Sequence, residues 1–291
     1  MIKITRILLC LLVANVLHSQ VFYSGKIGEA TIECKIEIDD STACATYLYT
    51  KYNEPINLKG KVKYDTLTLI EKKEDSVIAI LVFPDFNKNK SFIEGLWINV
   101  DLKFTIPILL TKTIELKYGD SITLNREIIQ STGLQTKYIR FQIKKTKLDE
   151  EAILASIHIY DKKSKRLLQS LPVECCIAQL DDVEIEDYNF DGKPDFSVFE
   201  AFNAGPNTSR VYYLFNPVTN KFFKSSFAGT SLDFDFKKKR IYEHNSCCGG
   251  SQHYTAVYKV VKNKMKILEE HCYKHNEEKG DMIEVKLKEC R

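Results

Sequence analysis

Apolar and polar residues alternate strictly in the N-terminal part of the chain. Ile32, Cys34 and Ile36 fall on one face of an extended segment. Glu33 and Lys35 fall on the other face. Because successive side chains of a strand point to opposite faces of its sheet, this period of two predicts a half-buried strand. Similar runs, separated by turn-forming residues, cover 43–50, 62–70, 77–83, 96–100 and 103–110. The N-terminal part is therefore predicted to be a small antiparallel barrel or sandwich.

The remainder of the chain also lacks a sustained helical period, and only residues 125–130 suggest a short helix or turn. Strands resume at 138–143 and 153–160, after a polar connection. We therefore predict an all-β protein with a boundary near residue 117. The predicted parts are an N-terminal antiparallel β domain over 20–117 and a second β domain over 118–291.

A faint repeat runs through the second part. Residues 159–167, 214–222 and 258–268 each read as a strand, a polar turn and a strand. Successive copies are separated by about 55 and about 44 residues, which lies in the range of β-propeller blades. Because hairpins are common in any β protein, the repeat is consistent with a propeller without requiring one.

The first residues have the pattern of a signal peptide. Lys3 and Arg6 precede an apolar run from Ile7 to Leu17, which ends in polar residues. A membrane-spanning helix needs roughly 20 apolar residues, so this run is too short, and no later segment is both that long and uncharged. We expect residues 1–19 to be removed and the protein to be secreted or periplasmic, with no transmembrane segment.

Cleavage after residue 19 would leave eight of the nine cysteines. An even number suits an oxidising compartment. Cys34 and Cys44 flank one turn, and Cys272 and Cys290 bracket another. Each pair is predicted to face across a hairpin and to form a disulfide, since a bridge needs closely spaced Cα atoms.

Two pairs of neighbouring cysteines remain, Cys175–Cys176 and Cys247–Cys248. We expect these pairs to bridge each other across the fold. Two strained vicinal disulfides are the alternative, and the sequence leaves the choice open.

Charge and motifs argue against two large functional classes. The 42 basic and 39 acidic side chains nearly balance, and no basic stripe is interleaved with aromatic residues, so nucleic-acid binding is not expected. Neither a nucleophile-elbow motif nor a phosphate-binding glycine loop occurs. We therefore predict a binding protein and not an enzyme.

The segment from 187 to 195 carries the strongest chemical signal. Oxygen-bearing side chains occupy positions 1, 3, 5 and 9 of this segment, and Gly192 occupies position 6. Calcium prefers six to eight oxygen ligands, and a tight loop can turn alternate residues inward. The predicted ligands are the side chains of Asp187, Asn189, Asp191 and Asp195 and the main-chain carbonyl of Lys193.

An EF-hand would place a glutamate at position 12 of such a loop, where this chain has Val198. We therefore expect a structural calcium loop between strands and not a helix–loop–helix sensor. The alternative is a turn rich in Asp and Asn that binds nothing. If calcium does bind, occupancy should couple to folding, because three carboxylates brought together repel each other.

Several motifs between residues 157 and 223 are specific in combination. They are Ile157 to Tyr160, Gln169, Asp187 to Gly192, Asp195, Phe196, Asn207, Tyr212 to Pro217 and Phe222. In these residues the chain resembles the periplasmic calcium-binding, propeller-like inhibitor family that protects bacteria from peptidoglycan hydrolases delivered by antibacterial type IV secretion. The similarity extends over about half of the chain, residues 138–275. The resemblance implies a β-propeller-like second domain, a calcium ion at the 187–195 loop, and binding to a lysozyme-like enzyme.

Two functional hypotheses follow. In the first, the protein inhibits a cell-wall hydrolase by docking a loop into its cleft. The segment 203–210 is the predicted contact, through Asn203, Gly205, Asn207 and Arg210, although it could equally be an ordinary solvated loop. In the second, the protein is a surface module that binds glycan or cell wall. The aromatic residues available for a glycan platform are Tyr212, Tyr213, Phe215, Phe222 and Phe223.

Overall fold

The first eight strands close into an antiparallel barrel. Strand β1 pairs with β2 on one side and with β8 on the other, which closes the ring. The sequence left open whether this part is a barrel or a sandwich, and the structure shows a barrel. The strands are β1 (Ser19–Ile27), β2 (Ala30–Asp39), β3 (Thr42–Tyr49), β4 (Ile56–Lys63), β5 (Thr66–Lys73), β6 (Ser76–Phe83), β7 (Phe92–Asn99) and β8 (Thr105–Glu115).

The structure is a computed structural model, and it describes residues 19–115, 121–149, 152–176, 181–203 and 205–290. Apart from Ser19, the predicted signal peptide lies outside the described residues, and so does the boundary predicted at residue 117. Over the described ranges the regular elements are β-strands and two short 3₁₀ helices. No helix in these ranges is long and apolar enough to cross a membrane.

The alternation in β2 places one set of side chains inside the barrel. Ile32, Cys34 and Ile36 lie in the barrel core. The opposite face of β2 is not simply solvated, because Lys35 is also buried. Its ammonium group pairs with the carboxylate of Asp181, outside the barrel. The predicted half-buried strand is therefore covered on both faces.

Two local predictions are wrong. The run predicted as one strand at 62–70 is divided between β4 and β5 by a turn at Tyr64 and Asp65, whose φ angles are 50° and 59°. The short helix or turn predicted near 125–130 is instead strand β9 (Leu124–Ile129), which pairs with β10. Pairing with a neighbouring strand has overridden a weak local pattern.

The strands that follow the barrel form three separate antiparallel sheets, each taking its strands in chain order. The first sheet contains β9, β10 (Lys137–Lys145), β11 (Ile153–Asp161) and β12 (Leu167–Cys176). The second contains β13 (Glu184–Glu186), β14 (Asp195–Phe202), β15 (Thr208–Asn216) and β16 (Lys221–Lys224). The third contains β17 (Leu232–Asp235), β18 (Arg240–Cys247), β19 (Gln252–Val261), β20 (Lys264–Asn276) and β21 (Asp281–Val285).

The faint sequence repeat has a structural counterpart. Its three copies are the hairpins β11–β12, β15–β16 and β19–β20. Each hairpin joins the third and fourth strands of its own sheet. The repeated segments therefore occupy equivalent positions in three successive sheets.

The barrel and the open sheets share one hydrophobic cluster. Phe22, Leu48 and Ile114, on the outer side of the barrel, belong to the same cluster as Phe141 of the first sheet and Phe196 of the second. A further cluster joins the second and third sheets, with Tyr188, Tyr212, Leu214, Ile241 and Tyr258 among its buried members. Apolar packing is thus continuous from the barrel to the last sheet.

One of the two predicted disulfides is present, between Cys272 and Cys290. Cys34 and Cys44 are both free, so the bridge predicted between them is wrong. The hairpin turn centres on Asp40 and Ser41, and this register places Cys34 opposite Tyr47 and Cys44 opposite Glu37. As a result Cys34 is buried in the barrel, whereas Cys44 is exposed outside it.

A bidentate ion pair crosses from the first open sheet to the barrel. The Arg140 guanidinium donates to both carboxylate oxygens of Glu33, at 3.0 and 2.8 Å. Both side chains are largely shielded from water, with 13% and 28% of their surface exposed. We expect a double-mutant cycle with Glu33→Gln and Arg140→Gln to give a coupling free energy of about 1–3 kcal/mol.

Chemical denaturation of the wild type, both single variants and the double variant measures this coupling. The exposed pair formed by Lys26 and Glu29 serves as the matched control, where we expect less than about 1 kcal/mol. Equal couplings for the two pairs would show that the contact between barrel and sheet contributes no more than a surface ion pair.

Candidate metal site

The segment predicted to bind calcium connects two paired strands. It leaves β13 at Glu186 and enters β14 at Asp195, and these two residues lie opposite each other in the sheet. The segment is therefore a loop between strands, as the residue at position 12 predicted, and a strand follows Asp195 directly.

Two residues with positive φ reverse the chain inside the loop. Gly192 has φ 84°, a conformation that suits glycine because it has no Cβ. Phe190 has φ 63°, and its ring packs against Phe234 and Phe236 at centroid distances of 6.4 and 6.0 Å. The Lys239 ammonium donates to the Phe190 carbonyl at 3.2 Å. Packing against the third sheet thus fixes the turn.

The acidic side chains of the loop accept bonds from its own backbone. The carboxylate of Asp187 accepts the N–H groups of Asp191 and Gly192, at 2.9 and 2.8 Å. The carboxylate of Asp191 accepts the Lys193 N–H at 2.9 Å and the Asn189 side-chain amide at 2.9 Å. Lys193 itself is exposed. These bonds curl the loop around its oxygen atoms.

Asp195 is the one carboxylate of the loop that is fully buried, with 0% of its surface exposed. It accepts the N–H groups of Phe215 at 2.7 Å and Asn189 at 3.3 Å. Burial, together with the charges of Asp191 and Asp187, raises the pKa of Asp195 to about 7, although the two backbone bonds oppose this rise. The ionised carboxylate therefore lacks compensating positive charge.

Sequence reasoning missed Asn263 as part of this site. Asn263 lies in the turn between β19 and β20, and its side-chain oxygen is 3.0 Å from the side-chain nitrogen of Asn189. Because amide oxygen and nitrogen are assigned from the hydrogen-bond network, rotating both amides would present an oxygen of Asn189 in place of its nitrogen. The two residues are 74 positions apart, so no local pattern could have joined them.

The donor set suits a hard cation. The loop carries three carboxylates and an amide side chain, and their oxygen atoms are the ligands that calcium prefers. Within the described ranges, no group of three or more His, Cys, Asp or Glu side chains is gathered tightly enough to hold a metal on its own. Any cation here would therefore also need amide, main-chain or water oxygens.

The segment predicted to contact a partner is largely tied into the fold. Asn207 is buried, donating to the Ser246 carbonyl at 2.7 Å and accepting the Ser246 N–H at 3.1 Å. Arg210 donates to Ser197 Oγ at 2.9 Å and pairs with acidic side chains of residues 182 and 184. Both side chains face inward. Asn203 and Gly205 remain exposed.

The aromatic residues considered for a glycan platform lie mostly in the core. Tyr212, Tyr213 and Phe222 are buried. Phe215 and Phe223 are half-buried and pack against hydrophobic clusters. These residues therefore do not present their ring faces together to solvent.

A serine, a histidine and a glutamate form a hydrogen-bonded chain on the first sheet. Ser156 Oγ lies 3.0 Å from His158 Nε2, and His158 Nδ1 contacts the carboxylate of Glu127. The Tyr160 hydroxyl donates to the same carboxylate at 2.7 Å, and its ring stacks on Tyr138. Three of these residues alternate along β11 and so share a face of the sheet, which accounts for their contacts.

Comparison with known proteins does not identify a family for this chain. No protein-family model matches the chain, and no curated protein matches it. Among solved structures, the chain is similar to a Xanthomonas type IV secretion system related protein, with 11% sequence identity. The match covers 92% of this chain and 99% of that chain, with a TM-score of 0.31. A TM-score this low carries no argument about function.

We predict that Asn207 stabilises the fold. Replacing Asn207 by Ala leaves the N–H and carbonyl of Ser246 without their partner, which should lower the free energy of unfolding by about 1–3 kcal/mol. The matched control is Asn203→Ala, an exposed position where we expect a change within about 0.5 kcal/mol. Equal effects of the two substitutions in denaturant titrations would contradict this assignment.

Proposed function

We propose that this is an exported calcium-binding protein that binds and inhibits a lysozyme-like cell-wall hydrolase. The observation that carries the calcium part is the fully buried carboxylate of Asp195, close to the charges of Asp187 and Asp191. The hydrolase part is supported by the resemblance noted in residues 157–223. Catalysis by this chain is not part of the proposal.

Calcium would relieve the electrostatic cost of the loop. Burial disfavours the ionised form of Asp195, and two neighbouring carboxylates disfavour it further. A divalent cation supplies the missing positive charge when it is bound. The residues that would hold it are Asp187, Asn189, Asp191 and Asp195, with the main-chain carbonyl of Lys193.

The same loop would transmit calcium binding to the second sheet. Asp195 is the first residue of β14, and it also accepts the N–H of Phe215 in β15. Fixing its carboxylate would therefore fix the start of one strand against the end of its neighbour. On this proposal calcium has a structural role.

The arrangement of the open sheets supports the propeller-like reading of the second part. Three successive antiparallel sheets each carry the repeated hairpin between their third and fourth strands. The blades of a propeller-like domain are successive antiparallel sheets with the same arrangement of strands. We propose that the three sheets act as such blades.

The surface of this protein that we propose contacts the hydrolase is smaller than the segment 203–210 predicted from the sequence. Because Asn207 and Arg210 face inward, the contact would fall on the exposed residues beside them. Phe202 has 62% of its surface exposed, and its ring packs on Phe199 at a centroid distance of 4.6 Å. Asn203 follows it and is also exposed. An exposed aromatic ring with a rigid base is a typical anchor in a protein interface.

The glycan-binding alternative is less well supported. It depends on exposed aromatic faces, and Tyr212, Tyr213 and Phe222 are buried.

We predict that calcium stabilises the protein against unfolding. At a free concentration of 100 times its Kd, calcium should add about 2.7 kcal/mol to the free energy of unfolding. Asp191→Asn should abolish this gain, and because Asp191 is exposed the variant should still fold. Asp235→Asn is the matched control, since Asp235 likewise accepts a backbone N–H within a turn, at 2.8 Å.

Thermal unfolding in calcium and in chelator measures this effect. A melting temperature that is the same in both would overturn calcium binding. A calcium effect that survives Asp191→Asn but disappears in Asp235→Asn would place the ion in another turn.

We predict that the exported protein inhibits a secreted lysozyme-like hydrolase and that Phe202→Glu weakens inhibition at least about tenfold, or about 1.4 kcal/mol. Val218→Glu is the matched control, because Val218 is also an exposed apolar residue, at 92%, on another turn. Hydrolysis of peptidoglycan is measured with increasing inhibitor. Equal inhibition by both variants would discard this surface, and no inhibition of such hydrolases by the wild type would overturn the proposed partner.

A further inference from the structure

Two neighbouring thiols lie at the tip of the β18–β19 hairpin. Cys247 ends β18 opposite Gln252, and Cys248 begins the short 3₁₀ turn that follows. The N–H and hydroxyl of Ser251 both donate to the Cys248 carbonyl, at 3.3 and 2.8 Å. Cys248 is exposed and Cys247 is half-buried. The pair therefore sits in a defined turn that solvent can reach.

The backbone conformation at Cys248 is unusual. Cys247 is extended, with φ −127° and ψ 178°, whereas Cys248 has φ 58°. Gly249 and Gly250 follow with φ 68° and 86°. Glycine enters the left-handed region freely, whereas a residue with a Cβ adopts it mainly where a tight turn requires it.

This conformation brings the two sulfur atoms close together. Successive side chains of a continuous strand would point to opposite faces. Here the Sγ atoms of Cys247 and Cys248 are 2.8 Å apart. A disulfide bond requires about 2.05 Å, so a small further approach would close it.

We propose that Cys247 and Cys248 form a reversible vicinal disulfide, a redox-sensitive site at the tip of this hairpin. The co-reactant is a disulfide, either of a small thiol such as glutathione or of an exported thiol oxidoreductase. One cysteine thiolate attacks it, forming a mixed disulfide and releasing one thiol. The second cysteine then displaces the other thiol, so that the pair loses two protons and two electrons.

Such a bond would be easier to reduce than the disulfide between Cys272 and Cys290. Neighbouring Cα atoms are about 3.8 Å apart, below the usual range of about 4.4–6.8 Å for bridged cysteines. Strained and exposed disulfides are the labile ones. The Cys272–Cys290 bridge spans a Cα–Cα distance of 5.8 Å.

The pair is coupled to a surface segment through the residue that precedes it. Ser246 is held by the buried side chain of Asn207. Gly205 packs closely on the same residue, since a Cβ built at Gly205 would lie 3.4 Å from the Ser246 carbonyl oxygen. Closing the disulfide would stiffen the end of β18 and, through Asn207, the chain around residues 203–207.

The test equilibrates the exported protein in glutathione buffers from reducing to oxidising, followed by acid quenching, alkylation and mass spectrometry of the peptide that contains both cysteines. As the buffer becomes more oxidising, we expect the peptide with Cys247 and Cys248 to change from doubly alkylated to unalkylated and lighter by two hydrogen atoms. In the buffers that still reduce this pair, we expect the Cys272–Cys290 disulfide to remain intact. Cys248→Ser should leave Cys247 either alkylated or, in oxidising buffers, joined to glutathione in a mixed disulfide, because no second thiol is present to displace it; the peptide should never become lighter by two hydrogen atoms. Cys44→Ser, which removes another exposed cysteine, should leave the transition unchanged.

Two results would overturn the proposal. One is complete alkylation of both cysteines in buffers that keep Cys272–Cys290 oxidised. The other is a cross-linked peptide joining Cys247 or Cys248 to Cys175 or Cys176, which would establish the bridge across the fold instead. Amide exchange at Asn203, Gly205 and Asn207 should slow on oxidation in the wild type only. If the disulfide forms while exchange stays unchanged, the coupling to this segment is wrong.

Discussion

The buried carboxylate of Asp195 is the constraint around which the second sheet is arranged. A carboxylate without access to water needs hydrogen-bond donors, and here they come from Asn189 in the loop and Phe215 at the end of β15. These two bonds fasten the loop and the end of β15 to the start of β14. Both donors are neutral, and burial together with the charges of Asp191 and Asp187 raises the pKa of Asp195 to about 7. The geometry of the loop and the cation binding proposed for it thus have the same origin.

Local periodicity predicted the strands well, but not their assembly. The alternation around Cys34 predicted β2 because side-chain direction in a strand depends only on neighbouring residues. Closure of the barrel depends on β1 meeting β8, which no local pattern encodes. The same limit explains the error at Cys34 and Cys44. Their pairing depended on where the turn is centred, and a turn centred at Asp40 and Ser41 places them on opposite sides of the barrel wall.

The candidate site was likewise only partly predictable from the sequence. The four loop side chains lie within nine residues of each other, so their spacing alone indicated a cation loop. Asn263 reaches the loop across 74 residues, and Asn207 reaches Ser246 across 39. Polarity suggested that Asn207 and Arg210 belonged to an exposed segment. The burial of Asn207 and the ion pairs of Arg210 depend on contacts with other segments, which become visible only when the sheets are assembled.

The strand order carries a consequence for how the molecule folds. Among the described strands, every pairing joins neighbours in the sequence except the one between β1 and β8. Hairpins between neighbouring strands form early, because little chain entropy is lost in closing them. Until β8 arrives, β1 is an open edge that other chains could extend. Phe22 and Ile114, which lie on these two strands, join the core shared with the open sheets. Completion of that core therefore requires both strands of the barrel seam to be in place.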